Sequence, residues 1–150
     1  MTSLHAIPSD LMLKVMQTCL CRRVQRASRS VGKRFDDAFR KVGLNNWQFT
    51  MLMALSGPTP RTINEIAAEL GMDRTTTTRN LGPLERRGLI DIRPDEQDAR
   101  ARRVFLKDEG RRLLDEAIDH WQGVNDAVSA ALTQEQLIVL RQALDAISET

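Results

Sequence analysis

Tyrosine is absent from this 150-residue chain, and cysteine, histidine and tryptophan occur only twice each. The two histidines, His5 and His120, lie far apart, and no dense cluster of acids or thiols accompanies them. A metal site therefore has no ligand set to build on. A glycine-rich phosphate loop and a nucleophile–base motif are missing too, so no enzymatic activity and no cofactor are expected. No apolar run approaches the roughly 18–20 residues that cross a bilayer. Nor does an apolar stretch follow Met1 as in a secretory signal, and the chain reads as cytoplasmic, without a membrane partner. Two cysteines, Cys19 and Cys21, cannot supply a disulfide framework; both fall in a helical pattern and fit reduced thiols.

What remains, 41% hydrophobic and 28% charged residues, is the composition of one ordinary folded domain over 1–150. The net charge is only +2, but its distribution is uneven. Eight basic residues against two acidic lie between Arg22 and Lys41, and eight against five between Arg74 and Arg103. From Asp108 to the end, nine acidic residues face three basic ones. Such segregation fits a one-sided face for a polyanion, and equally a set of solvated helix faces.

Hydrophobic periodicity predicts a first helix from about Ser9 to Lys41, carried by Leu13, Met16, Leu20, Val24, Ala27, Val31, Phe35 and Val42, and closed by Gly43. A helix of that length spans about 48 Å, more than a small domain, so one end must pack elsewhere. Leu11, Met12, Leu13, Val15 and Met16 wrap much of its start, as a partner subunit would require. A second helix follows from Asn46 to Leu55, and Thr62-Ile63-Asn64-Glu65 has capping-box spacing for a third that Gly71 ends. The fourth starts after Asp73, carries four consecutive threonines, and should be distorted but not broken at Pro83. Leu89–Arg93 and Arg102–Leu106 read as two strands around a charged tip. Two closing helices follow, one carrying Leu114, Ala117, Ile118, Trp121, Val124, Val128 and Leu132, the last opened by the capping box Thr133–Gln136 and striped by Leu137, Leu140, Leu144 and Ile147.

A capped short helix, a glycine turn, a helix rich in Thr and Arg and a basic hairpin, in that order, are the parts of a winged helix-turn-helix. Such a unit sets its second helix in the DNA major groove and its wing along the backbone or in the minor groove. Thr77, Leu81 and Leu84 have the spacing to face inward, which leaves Arg74, Thr75, Thr76, Thr78, Arg79 and Asn80 as candidate groove residues. Threonine offers a hydroxyl and a methyl group, Arg can clamp guanine, and Asn can do the same for adenine.

These segments resemble the MarR-type transcriptional regulators: Ile63-Asn64-Glu65-Ile66-Ala67 with Leu70-Gly71, Thr78-Arg79-Asn80-Leu81 leading to Leu84-Glu85-Arg86-Arg87-Gly88-Leu89-Ile90, and Asp98-Ala99-Arg100 followed by Val104-Phe105-Leu106 and Gly110. The resemblance covers most of the chain. It implies a mainly α fold with a small β-hairpin wing, with a DNA-binding region at approximately 46–106 and dimerisation helices at approximately 9–42 and 108–150. It further implies that Asp98 braces the wing by pairing with a neighbouring arginine, that Arg100, with Arg102 beside it, reaches DNA, and that the homodimer binds a pseudo-palindromic double-stranded operator, as a repressor by family default. Lys107 stands where a Thr often opens the following helix, leaving Asp108 as the expected cap.

Two switches are open. By resemblance, a small aromatic or phenolic ligand would sit between the dimerisation helices and the winged unit, and Arg22, Arg26, Arg29, Trp47 and Met51 are its candidate lining; ordinary core and surface roles are the alternative. Cys21, eight residues before Arg29, resembles the reactive thiol of organic-hydroperoxide sensors, although the tyrosine positions look like Gln25 and Phe35. On one helix Cys19 and Cys21 would point about 200° apart, so any disulfide would join subunits. Two readings from other classes are a cysteine redox enzyme, marked by activity lost on Cys21→Ser, and a winged protein-interaction module, marked by salt-insensitive binding to a protein.

Overall fold

The expected long first helix is two helices. In the computed structural model, which describes residues 7–149, α1 spans Ser9–Thr18 and α2 Leu20–Phe39, with Cys19 between them at ψ 107°. Neither proline nor glycine causes the break. The last carbonyls of α1 take donors from the start of α2 instead: Arg22 Nη1 donates to Met16 O at 3.2 Å and Arg23 Nη2 to Gln17 O at 2.7 Å. Thr18 Oγ1 also turns back onto Lys14 O. Cys19 is thus outside any helix, which removes the helical-angle argument about the two thiols; both are free, and Cys21 is exposed. The helical end differs as well, since Arg40–Val42 forms a 3-10 turn closed by Gly43 at φ 71°. His5 lies outside the described residues.

Residues Met1–Arg34 and Phe35–Thr150 form separate compact units. In the first, α1 buries nothing, and Leu11, Met12, Leu13, Val15 and Met16 are all exposed.

The second unit holds the core. Phe39 stacks on Phe49 of α3 (Asn46–Ala54) with ring centroids 4.3 Å apart, and Met51, Leu52, Ile66, Leu81, Leu84 and Val104 complete a fully buried cluster. The Asn45 side chain starts α3 by accepting from Gln48 N–H, with Gln48 reciprocating. Asp36 adds a 2.7 Å acceptor for Asn46 N–H.

After α3, Arg61–Thr62 forms a two-residue strand, β1, that the sequence reading lacked. Two residues carry no period; tertiary pairing alone reveals them. The sheet order is β1-β3-β2, all antiparallel, with β2 at Ile90–Pro94, β3 at Arg102–Leu106 and Arg93 opposite Arg103. Helix α4 (Ile63–Glu69) begins at the expected Thr62–Glu65 capping box, and α5 (Arg74–Arg86) runs unbroken through Pro83.

Helix α6 (Asp108–Ser129) starts one residue earlier than expected: Lys107 holds the cap position with no side-chain bond, and Asp108 and Glu109 occupy the first turn, where acids complement the helix dipole. Gly110, Leu113, Leu114 and Ala117 are buried, Ile118 and Trp121 exposed, and Leu132 falls beyond the helix. The Thr133–Gln136 box opens α7 (Gln134–Ser148), which buries none of its residues. Among the described residues, no helix is long and apolar enough to cross a membrane.

Candidate nucleic-acid interface

Helix α5 owes its position to the turn before it and the face beneath it. Gly71 takes φ 61°, a left-handed conformation that favours glycine, and lets the chain turn sharply from α4. Asp73 then caps α5 with both carboxylate oxygens, accepting from Thr76 N–H at 2.8 Å and from Thr76 Oγ1 at 2.7 Å. These bonds, the hydroxyl's first, hold the Asp73 carboxyl below its ordinary range. Below, Thr77, Leu81 and Leu84 are buried as their spacing predicts, and Thr77 Oγ1 donates to Asp73 O at 2.9 Å.

The opposite face presents the six candidates. Arg74, Thr75, Thr78 and Arg79 are exposed; Thr76 and Asn80 are half-buried. Thr76 and Thr78 spend their hydroxyl protons inside the helix, on Asp73 and on Arg74 O. The side chains of Arg74, Thr75, Arg79 and Asn80 make no hydrogen bond or ion pair among the described residues, so their donors are uncommitted. Phosphate oxygens and base edges are acceptors that such donors fit.

The wing is tied to this helix. Glu85 of α5 accepts from Ile92 N–H of β2 at 3.2 Å. At the tip, Arg100 and Arg102 are exposed and unpaired. The expected brace differs, because Asp98 accepts from the backbone N–H of Arg100 at 2.9 Å and pairs with no guanidinium. The charged brace is Asp95 with Arg103, two residues absent from the candidate set. Arg103 Nε and Nη2 both lie 2.5 Å from Asp95 Oδ2. A Pro-Asp turn marks Asp95 in the sequence as a residue able to bond its own backbone, but Arg103 comes within reach of it only through the strand pairing that sets Arg103 opposite Arg93.

The candidate effector residues do not share one fate. Met51 is fully buried in the core, the ordinary role that stood as its alternative. Trp47 is 55% exposed. Arg22 and Arg26 line an open basic groove of about 500 Å³ with Arg23, Ala27 and Ser30, and Arg29 is not part of that lining. Cys21 Sγ accepts from Gln25 Nε2 at 3.3 Å. Among the described residues, no group of three or more His, Cys, Asp or Glu could hold a metal ion.

A buried-face helix after a glycine turn, an uncommitted basic surface above it and a basic hairpin alongside define a winged helix-turn-helix DNA-binding protein. Residues 42–101 match the family model described as MarR family. The transcriptional regulator MosR of M. tuberculosis, solved in complex with DNA, is similar at 35% identity and a TM-score of 0.80, over 87% of this chain and 94% of that one. A transcriptional repressor, CouR, bound to a 23-mer DNA duplex, is 27% identical with a TM-score of 0.80, over 89% of this chain and 95% of that one. The organic hydroperoxide resistance transcriptional regulator of Bacillus subtilis (strain 168) is 26% identical over 104 residues, 69% of this chain and 71% of the relative. This chain belongs to the MarR family; it is a DNA-binding transcriptional regulator and not an enzyme.

Proposed function

We propose that this regulator is a homodimeric repressor that places two copies of α5 in successive major grooves of a pseudo-palindromic operator. The uncommitted donors of Arg74, Thr75, Arg79 and Asn80, above a fully buried Thr77-Leu81-Leu84 face, are the observation that carries this reading. Arg100 and Arg102 of the wing reach the flanking backbone or minor groove, where arginine is attracted to the negative potential. The two ends of the chain, 9–42 and 108–150, supply the dimer interface, supported by the exposed apolar residues of α1 and α7. Half-sites are then centred about 10 bp apart.

Fluorescence anisotropy over a salt series, on DNA from just upstream of the protein's own gene, tests this. Tight binding that weakens steeply with salt and that Arg79→Ala loses is the expected result. If the same DNA and a random-site selection both yield no specific binder, the winged unit serves another partner.

Release by a small aromatic or phenolic acid is the proposed switch, with Arg22, Arg26 and Arg29 as contacts for its anionic end. A second reading rests on the exposed Cys21 thiol beside Gln25. Its thiolate attacks a hydroperoxide O–O bond; sulfur is oxidised to the sulfenic acid, and the peroxide is reduced and leaves as the alcohol. Peroxide then lowers operator affinity in the wild type and not in Cys21→Ser, whereas phenolic acids lower it in both.

A further inference from the structure

Arg103 carries a third bond beyond its pair with Asp95: its Nη1 donates to the carbonyl of Pro60 at 2.6 Å. The other oxygen of Asp95 accepts from the backbone N–H groups of Gln97 at 2.9 Å and Asp98 at 3.0 Å. One guanidinium and one carboxylate therefore connect three pieces of chain, namely the segment leading into β1, strand β3 and the tip of the hairpin. The Asp95 side chain is only 7% exposed, and that of Arg103 34%. A recess of about 380 Å³, lined by Pro60, Arg93, Asp95, Gln97, Arg103 and Phe105, lies beside the pair. Backbone bonds from Asp95 N–H to Ala101 O at 3.0 Å and from Ala101 N–H to Asp98 O at 2.9 Å close the tip on itself, and the Asp95–Arg103 pair is what ties it to Pro60 and β3.

We propose that Asp95 and Arg103 are positioning residues for DNA binding: they pin the wing tip so that Arg100 and Arg102 meet the DNA already in place. A loop ordered beforehand loses little conformational freedom on association, whereas a loosened tip must be ordered at that moment and costs affinity. The inference rests on the proposed role of Arg100 and Arg102.

The test is a double-mutant cycle on full-length protein and operator DNA. Arg103→Met keeps the side chain's length and removes its bonds; Arg103→Lys restores the charge. Thermal melts establish that each variant folds. Arg103→Met weakens operator binding by about tenfold in the wild-type background and leaves it within about twofold in the Arg100→Ala/Arg102→Ala background, with partial recovery in Arg103→Lys. Equal losses in both backgrounds, or none in the wild type, overturn the proposal. If Arg100→Ala/Arg102→Ala itself binds like wild type, the wing-contact reading has failed, and backbone order parameters of the DNA-free protein decide the pinning. At Gln97, Asp98 and Arg100 they fall from about 0.85 toward about 0.6 in Arg103→Met if the pair pins the tip, and unchanged values overturn it.

Discussion

Gly110 of α6 lies directly against the carbonyl of Leu89, so that a Cβ at position 110 would collide with that backbone oxygen and sit 2.7 Å from Leu106 Cδ1. The contact seats α6 on the sheet, where Lys107 N–H also donates to Leu89 O at 3.0 Å. Backbone cannot swing aside as a flexible side chain can. Gly110→Ala therefore destabilises the fold by about 1–3 kcal/mol despite alanine's better helix propensity, measurable as a lowered urea midpoint.

The threonines of α5 separate into two kinds, and neighbouring substitutions should show it. Thr75→Ala removes an uncommitted hydroxyl from a surface position; stability holds or rises by a few tenths of a kcal/mol, about the propensity difference, while operator affinity falls. Thr77→Ala empties a fully buried site and costs about 1–2 kcal/mol of stability. Paired melts and anisotropy titrations check the opposite pattern.

Acid should loosen the wing. The Gln97 N–H bond, then Arg103, hold the Asp95 carboxyl below its ordinary range. A depressed folded value means that the stabilisation is complete above the unfolded value near ~4 and is lost as pH falls through the folded one. Asp73 and Glu65 act in the same direction through their capping bonds. In Asp95→Asn the fall in urea midpoint between about pH 5 and pH 2 is shallower than in the wild type; an identical slope would show that the carboxylate contributes nothing.

Leu140 and Leu144 of α7 are exposed in the single chain. Leu140→Glu removes no buried contact and leaves the chain's own fold intact. If α7 serves the dimer, sedimentation shifts from dimer to monomer and operator affinity drops; a variant still sedimenting as a dimer places the interface elsewhere.

Much of the fold was legible because its signals are local. Capping boxes at Thr62–Glu65 and Thr133–Gln136 satisfy backbone donors three residues away, and the burial of Thr77, Leu81 and Leu84 follows from helical spacing alone. The candidate groove residues emerged by subtraction from that buried face. Less of the wing could be read: Asp98 was assigned a brace by resemblance, yet the nearby Asp95 holds the arginine.

What the amino-acid order determined by itself is therefore the helical periods, their caps, the turn at Gly71 and the class of protein these parts compose. Tertiary structure decided the rest. Helix α1 ends at Thr18 because Arg22 and Arg23 reach its last carbonyls, and β1 exists because β3 lies beside it. Met51 is core because Phe39, Leu52 and Ile66 close around it. Arg103 meets Asp95 because the register sets it opposite Arg93. The β1–β3 pair joins residues some forty positions apart, which no window of neighbouring residues contains; the α1 and Asp95 contacts join residues six and eight apart, but only once the backbone has turned there do they meet.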